Sequence, residues 1–120
     1  MTVLDANMIL RYLLNDNAAM AETAERYIEA GNVSVTIEVM AEVVYVLKGV
    51  YFMERDLIAQ TLRTFLSLVA CRDWDVLECA LNTYSERSLD FVDCILYGYH
   101  CVRGAEIATF DKKLLRLVSD

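Results

Sequence analysis

The chain has 120 residues, of which 57% are hydrophobic, and its formal net charge at pH 7 is −7. This length fits one domain with a single core, residues 1–120. The stretches without a charged residue are too short to cross a bilayer. The acidic balance argues against a protein that holds nucleic acid through a broad basic surface, but it leaves room for carboxylate-bound cations that handle phosphodiesters.

The hydrophobic pattern predicts short strands that alternate with helices. Strands are expected at Val3 and Leu4, at Val33–Val35, at Trp74–Leu77 and at Ala105–Phe110. Helices are expected over residues 7–14, 20–30, 37–48, 54–70, 78–87, 90–103 and 112–118. Alternation of this kind predicts an α/β fold of three layers, α/β/α, with a short-stranded parallel sheet covered on both faces.

Two acidic residues directly follow predicted strands. Asp5 comes after the first strand and Asp111 comes after the run Ile107–Phe110. Ligands bind beyond the carboxyl ends of strands in open parallel sheets, so the two carboxylates would share a cleft if their strands are neighbours. Alternatively, each caps the helix that follows it.

Glu42 lies in a predicted helix that is apolar almost all round. The only charges between Ile37 and Leu47 are Glu38 and Glu42, which are four residues apart and therefore share a face. A bound cation would turn their repulsion into attraction. The alternative is a narrow solvent-facing stripe, with Glu38 near a Thr36 cap, and this alternative is adopted for Glu38 but left open for Glu42.

A second acidic pair opens the helix predicted over residues 90–103. Asp90 and Asp93 are three residues apart on one face. Asp90 is explained as a helix cap, whereas Asp93 has apolar neighbours on both sides, where a solvated acid is less expected. The pair is consistent with a metal site.

These segments together resemble the PIN-domain family. The matching pieces occur in order along essentially the whole chain: Leu4-Asp5-Ala6-Asn7-Met8-Ile9-Leu10-Arg11, Ala41-Glu42-Val43-Val44-Tyr45-Val46-Leu47, Asp90-Phe91-Val92-Asp93 and Ala108-Thr109-Phe110-Asp111. The compact length and the opening Asp-x-Asn-x-x-Leu-Arg are most similar to VapC toxins of toxin–antitoxin pairs.

The resemblance implies a ribonuclease that depends on Mg²⁺ or Mn²⁺. Asp5, Glu42 and Asp93 match the three core acids of the family, and Asp111 matches a more variable fourth. Asp90 is a weaker metal ligand. Two polar residues match positions that support the site through hydrogen bonds to a carboxylate, water or substrate; they are Asn7 and Thr109.

The expected reaction is hydrolysis of RNA by metal-activated water, with the carboxylates positioning one or two cations and not acting as nucleophiles. The resemblance also implies products with a 5′-phosphate and a 3′-hydroxyl, a homodimer, and a small antitoxin protein that covers the site. An apolar content above that of ordinary soluble domains independently favours a second copy as partner.

A few cations are candidates for contacts with the RNA backbone. Lys112, Lys113 and Arg116 directly follow Asp111, and Arg11 lies on the first helix near the expected cleft. For the first three the alternative is a solvated helix face, and Arg11 could instead pair with a site acid or a dimer partner.

Cysteine spacing and the amino-terminal residues bear on the compartment. Cys71, Cys79, Cys94 and Cys101 match neither a zinc ribbon nor a Cys-x-x-Cys pair, so they are expected to be buried free thiols. Residues 1–5 show no secretory pattern, and a cytoplasmic protein is expected.

A different class of function remains open. A catalytically idle PIN-like module, working as a dimeric scaffold or binding protein, would share the fold, although the complete set of acids argues against it. The target RNA, cleavage of DNA, the number of metals and the order of the strands do not follow from the sequence.

Overall fold

The computed structural model describes residues 1–119, which form seven helices and three short strands. The strands are β1 (Thr2–Val3), β2 (Val33–Val35) and β3 (Ala70–Cys71). The helices are α1 (Ala6–Leu14), α2 (Ala18–Ala30), α3 (Ile37–Gly49), α4 (Arg55–Leu66), α5 (Trp74–Glu86), α6 (Phe91–Arg103) and α7 (Lys112–Ser119).

The strands form a parallel sheet in the order β1-β2-β3. Thr2 is opposite Val33, and Ser34 is opposite Ala70. All of β2 is buried, as expected for the central strand of a sheet that is covered on both faces. The α/β class with a short parallel sheet is therefore confirmed.

Two of the predicted strands are wrong. Trp74–Leu77 is the first turn of α5, because Val76, Leu77, Ala80 and Leu81 continue the helical repeat and are fully buried. The third strand lies earlier, at Ala70–Cys71, where the helix predicted over 54–70 has already ended: the N–H groups of Ser67 and Leu68 bond carbonyls three residues back.

The segment Ala105–Phe110 is also not a strand of the sheet. Its residues alternate between half-buried and exposed positions, as in extended chain, but they make no ladder with a neighbouring strand among residues 1–119. Period-two alternation alone does not provide a partner strand. Asp111 therefore follows an extended connection and not the end of a strand.

Side-chain caps begin several helices. The Asp5 carboxylate accepts a hydrogen bond from the Met8 N–H at 2.8 Å, and the Thr36 hydroxyl accepts one from the Val39 N–H at 3.2 Å. Each satisfies a backbone donor that the first turn of a helix leaves free. The sequence-based cap at Thr36 is confirmed.

The core is built largely by α3, α4 and α5. Met40, Val43 and Leu47 on α3 are fully buried, and Phe65 on α4 is the largest side chain that is almost completely buried. None of the helices within residues 1–119 combines the length and apolar character needed to cross a bilayer.

Helices α5 and α6 approach each other closely at Gly98. A Cβ atom at this position would lie 2.8 Å from the Val76 carbonyl oxygen, so only glycine fits without a backbone shift. At the same end of α5, Arg103 donates to both carboxylate oxygens of Asp75, at 2.6 and 2.8 Å. Together these contacts set the position of α6, whose first turn carries Asp93.

The four cysteines are free thiols, as expected, but they differ in burial. Cys94 is buried, Cys71 and Cys79 are half-buried, and Cys101 is exposed. Burial raises the pKa of the Cys94 thiol to about 12, which makes it unreactive at neutral pH. The expectation of burial is wrong for Cys101, which is exposed in the last turn of α6.

Candidate functional site

Three acidic side chains meet in an open depression of about 430 Å³ between the starts of α6 and α7. We call it the acidic depression and define it by the residues that bear on its chemistry: Asp90, Asp93, Phe110, Asp111, Lys112 and Lys113. Ser88 and Leu89 complete its wall. The structure thus brings three of the sequence-predicted acids into one place.

Asp93 is the half-buried acid of this depression. It lies in the first turn of α6, and burial raises the pKa of its carboxyl. The nearby carboxylates of Asp111 and Asp90 raise this pKa further, because a second negative charge at short range opposes ionisation. The surroundings of Asp93 in the acidic depression therefore disfavour its ionised form, and a bound cation would favour that form.

Asp90 occupies the cap position of α6, but its carboxylate makes no capping hydrogen bond. The explanation of Asp90 as a helix cap is therefore wrong in its chemistry. The backbone around Asp90 has φ −57° and ψ 147°, and the side chain is exposed in the same depression as Asp93. Its oxygens are left for a ligand or for solvent.

Asp111 caps α7, as its alternative interpretation predicts. Its carboxylate accepts a hydrogen bond from the Leu114 N–H at 2.9 Å, and the Asp111 N–H donates to the Thr109 hydroxyl at 3.0 Å. Thr109 therefore acts on the backbone at Asp111. The carboxylate remains exposed and close enough to Asp93 to raise its pKa, so the cap role and a site role coexist.

Asp5 lies in a different depression, of about 310 Å³. Asn7 and Arg11 line it together with Asp5, and the Asp5 carboxylate is used to cap α1. The neighbouring carboxylates that raise the pKa of Asp93 are Asp111 and Asp90, and Asp5 is not among them. Asp5 and Asn7 thus line a depression of their own and not the acidic depression.

Glu42 is exposed on α3, as is Glu38. Their common exposure matches the solvent-facing stripe that was the alternative explanation of this pair. Glu38 lines a small depression at the carboxyl ends of β2 and β3, together with Thr36 and Asp73. Glu42 lines neither this depression nor the acidic one.

Within residues 1–119, no three His, Cys, Asp or Glu side chains are close enough together to hold one metal ion. Mg²⁺, however, commonly takes only one or two carboxylates directly and keeps several of its waters. The donor set of the acidic depression, carboxylates with mutual repulsion, fits a hard divalent cation on these terms. Asp93 and Asp111 would hold it, with Asp90 alongside.

The predicted cations divide into two groups. Lys112 and Lys113 line the acidic depression, and the Lys113 ammonium donates to the Ser88 carbonyl at 3.0 Å. Arg11 instead forms a bidentate ion pair with Asp16, at 2.8 and 2.9 Å. Within one chain the partner of Arg11 is therefore a carboxylate five residues along, and not one of the predicted site acids. Its contact with a dimer partner stays a prediction.

Arg55 was not identified from the sequence, although it holds in place the segment that precedes α6. Its guanidinium lies 3.7 Å above the ring of Tyr84 and donates to the carbonyls of Tyr84 and Arg87, each at 2.8 Å, and to that of Leu89. These contacts span 29 to 34 residues along the chain. Contacts between residues so far apart in the chain cannot be recognised from a local sequence pattern. The segment that these contacts hold leads directly into Asp90.

Comparison with known proteins gives one match. A family model described as PIN domain matches residues 2–119. Searches for similar curated proteins and for similar solved structures each found no match. The PIN domain is a nuclease-type domain. Because the match covers nearly the whole described chain, the protein belongs to the PIN domain family.

Proposed function

We propose that this chain is an endoribonuclease that depends on Mg²⁺ or Mn²⁺, and that it is the toxin of a toxin–antitoxin pair. The observation that carries the proposal is the meeting of Asp90, Asp93 and Asp111 with two lysines in one open depression. Membership of a nuclease-type family supports hydrolysis of phosphodiester bonds as the reaction.

Asp93 and Asp111 are proposed as the main cation ligands, with Asp90 as a weaker third. When bound, a divalent cation supplies a contact to a phosphate oxygen and lowers the pKa of a water molecule. The Leu114 N–H fixes the orientation of the Asp111 carboxylate, and burial with two nearby acids raises the pKa of Asp93, so that a positive neighbour would favour its ionised form. Lys112 and Lys113 hold the phosphate backbone beside these acids.

Asp5 and Glu42 enter the proposal through the sequence pattern of the family. We expect Asp5→Asn and Glu42→Gln each to reduce RNA cleavage. Full activity in both variants would restrict the site to the acids of the acidic depression. Asn7 is proposed to support Asp5, beside which it lies.

The partners are a second copy of the chain and an antitoxin protein. Exposed apolar side chains at the end of α3 and the start of α4 support this proposal: Tyr45, Val50, Phe52 and Leu57 are between 49% and 80% exposed. A cluster of this kind is typical of a surface that another protein covers. The antitoxin is proposed to cover the acidic depression.

The test is cleavage of total cellular RNA, followed by mapping of the new 5′ ends. The purified protein is incubated with Mg²⁺ or Mn²⁺, with an EDTA control, beside the variants Asp93→Asn and Asp56→Asn. Asp56 is the matched control because it also lies in the first turn of a helix, α4, but outside the acidic depression.

We expect discrete cuts that require the metal, persist in Asp56→Asn and vanish in Asp93→Asn. The products should carry a 5′-phosphate and a 3′-hydroxyl, since water and not the 2′-hydroxyl attacks. A 2′,3′-cyclic phosphate, or cuts that survive EDTA, would contradict the proposed chemistry.

A catalytically idle binding module is the second candidate. It is favoured by the lack of a three-residue metal cluster in residues 1–119 and by the different depression that Asp5 lines. Such a module would bind Mn²⁺ no better than its Asp93→Asn variant.

A further inference from the structure

Phe110 is fully exposed, with a relative accessibility of 104%, on the wall of the acidic depression. Single exposed apolar side chains are ordinary on protein surfaces, so exposure alone indicates nothing. The position of Phe110 is more informative, since it lines the same depression as Asp93 and the two lysines and is next to Asp111 in the chain.

The backbone holds this ring outward. Thr109 is half-buried and its hydroxyl accepts the Asp111 N–H, while Ile107 packs against the core. In extended chain alternate side chains point to opposite sides, so anchoring residues 107 and 109 directs Phe110 away from the protein.

A second depression, also of about 430 Å³, adjoins the acidic one. The two share Ser88, Leu89 and Lys113, and we call the second one the basic depression. Its charged residues are Arg87, Lys113, Arg116 and Glu86. Arg87 was not identified from the sequence.

The cations of the basic depression form no ion pairs with acidic side chains of the described residues. In the described part of the chain, ion pairs join Arg11 to Asp16 and Arg103 to Asp73 and Asp75, and none involves Arg87, Lys113 or Arg116. Three cations thus gather on one surface of a chain whose net charge is −7. A polyanion is the ligand that complements such a surface.

An exposed aromatic ring beside a cationic surface is the combination that holds unpaired nucleotides, since bases stack on the ring and phosphates contact the cations. We propose that Phe110 and the basic depression form a nucleotide-binding subsite beside the acids. Phe110 stacks on an unpaired base, and Arg87, Lys113 and Arg116 hold the adjoining phosphates. The inference rests on the proposed ribonuclease function for the choice of RNA as the nucleic acid.

The first arm of the test places a fluorescent probe at the ring. The chain contains one tryptophan, Trp74, so the double variant Trp74→Phe, Phe110→Trp carries a single indole at position 110. This protein is titrated with a mixed-sequence 12-nucleotide RNA, with the same RNA in a duplex, and with inorganic polyphosphate. The Asp93→Asn change is included to prevent cleavage, and the parent chain with Trp74 serves as the probe control.

We expect single-stranded RNA to quench the indole at 110, with much smaller effects of duplex RNA and polyphosphate. Absence of quenching, or equal quenching by polyphosphate, would overturn the stacking role. A change in emission with protein concentration alone would also overturn it, because a second copy of the chain would then cover the ring.

The second arm measures the affinity for the same single-stranded RNA by fluorescence anisotropy. Phe110→Ala should weaken binding roughly tenfold, the effect typical of one base–aromatic stack, while Phe110→Tyr should retain it. Tyr27→Ala is the control, because Tyr27 is an exposed aromatic residue on α2 outside both depressions. Arg87→Gln should reduce the slope of log affinity against log salt by about one.

Unchanged affinity in Phe110→Ala would overturn the subsite, whether or not the protein cleaves RNA. Conversely, if the binding results are as expected but no metal supports cleavage, the proposed ribonuclease fails while the nucleotide subsite stands. The two failures are therefore distinguishable.

Discussion

Asp93 is a half-buried carboxylate with two further acids beside it. Burial and the carboxylates of Asp111 and Asp90 raise its pKa, so the folded protein favours the protonated form more than the unfolded chain does. Its contribution to stability is therefore fully present below its unfolded pKa and is lost as the pH rises through its folded pKa. At neutral pH and without a cation, the Asp93 carboxylate opposes folding.

The direction of the Asp93 pKa shift leads to a prediction about thermal stability. In EDTA at pH 7, Asp93→Asn should melt at a higher temperature than the parent chain, and the difference should shrink as the pH falls towards the unfolded pKa of aspartate. Thermal unfolding at several pH values measures this difference, with Asp56→Asn as control. A parent chain more stable than Asp93→Asn at pH 7 would contradict the repulsive environment.

The individual acids also show which features of the candidate site can be predicted from the sequence. The apolar neighbours of Asp93 distinguish it from an ordinary surface acid, and Asp90 and Asp111 do meet it in space. The sequence cannot show whether a carboxylate after a strand or loop is used for capping or for a ligand. Asp5 and Asp111 both cap a helix, but of the two only Asp111 raises the pKa of Asp93.

Helix packing determines where the acidic depression lies. Predictions of the helices are close to the observed bounds wherever an apolar face repeats over several turns, as in α3 and α6. They fail where the decisive information is tertiary: Trp74–Leu77 joins a helix because the residues that follow it are buried, and Ala105–Phe110 remains unpaired because no strand of the described chain adjoins it.

The close approach of α5 and α6 gives a prediction at the scale of elements. Gly98→Ala should lower the free energy of unfolding by about 1–3 kcal/mol, because the added Cβ collides with backbone and the strain exceeds the gain in helix propensity. The control is Gly49→Ala in α3, where nothing lies within 4 Å of the new Cβ. It should raise the free energy of unfolding by about 0.4–1 kcal/mol.

Urea unfolding of both variants provides the measurement. If Gly98→Ala proves as stable as Gly49→Ala, the α5–α6 contact is looser than described and the position of Asp93 is less constrained.

In the molecule as a whole, the apolar content of the sequence is related to the apolar residues exposed at the surface. The high apolar content anticipates apolar residues at the surface, and several lie near one another in sequence around Phe52, which is 80% exposed. Composition does not say where such residues lie, because their exposure depends on how α3 turns into α4. The same limit applies to the basic depression, whose cations come from distant parts of the chain.

A second copy of the chain covering this surface would make the protein a dimer. Sedimentation velocity should then show a dimer, and Phe52→Ser should raise its dissociation constant about thirtyfold, as expected for a central aromatic contact worth about 2 kcal/mol. Leu68→Ser, an exposed apolar position after α4, is the control. A monomer at all concentrations would exclude this role for the Phe52 surface.

We expect Asp93 and Asp111, with Asp90 alongside, to hold a divalent cation that is used in catalysis. Calorimetric titration with Mn²⁺ of the parent chain, Asp93→Asn and Asp56→Asn tests it most directly. Asp93→Asn should bind Mn²⁺ more than about tenfold more weakly than the parent, while Asp56→Asn should bind like the parent. Equal affinities in all three proteins, with the fold intact, would exclude a catalytic cation at Asp93 and favour a binding module that does no chemistry.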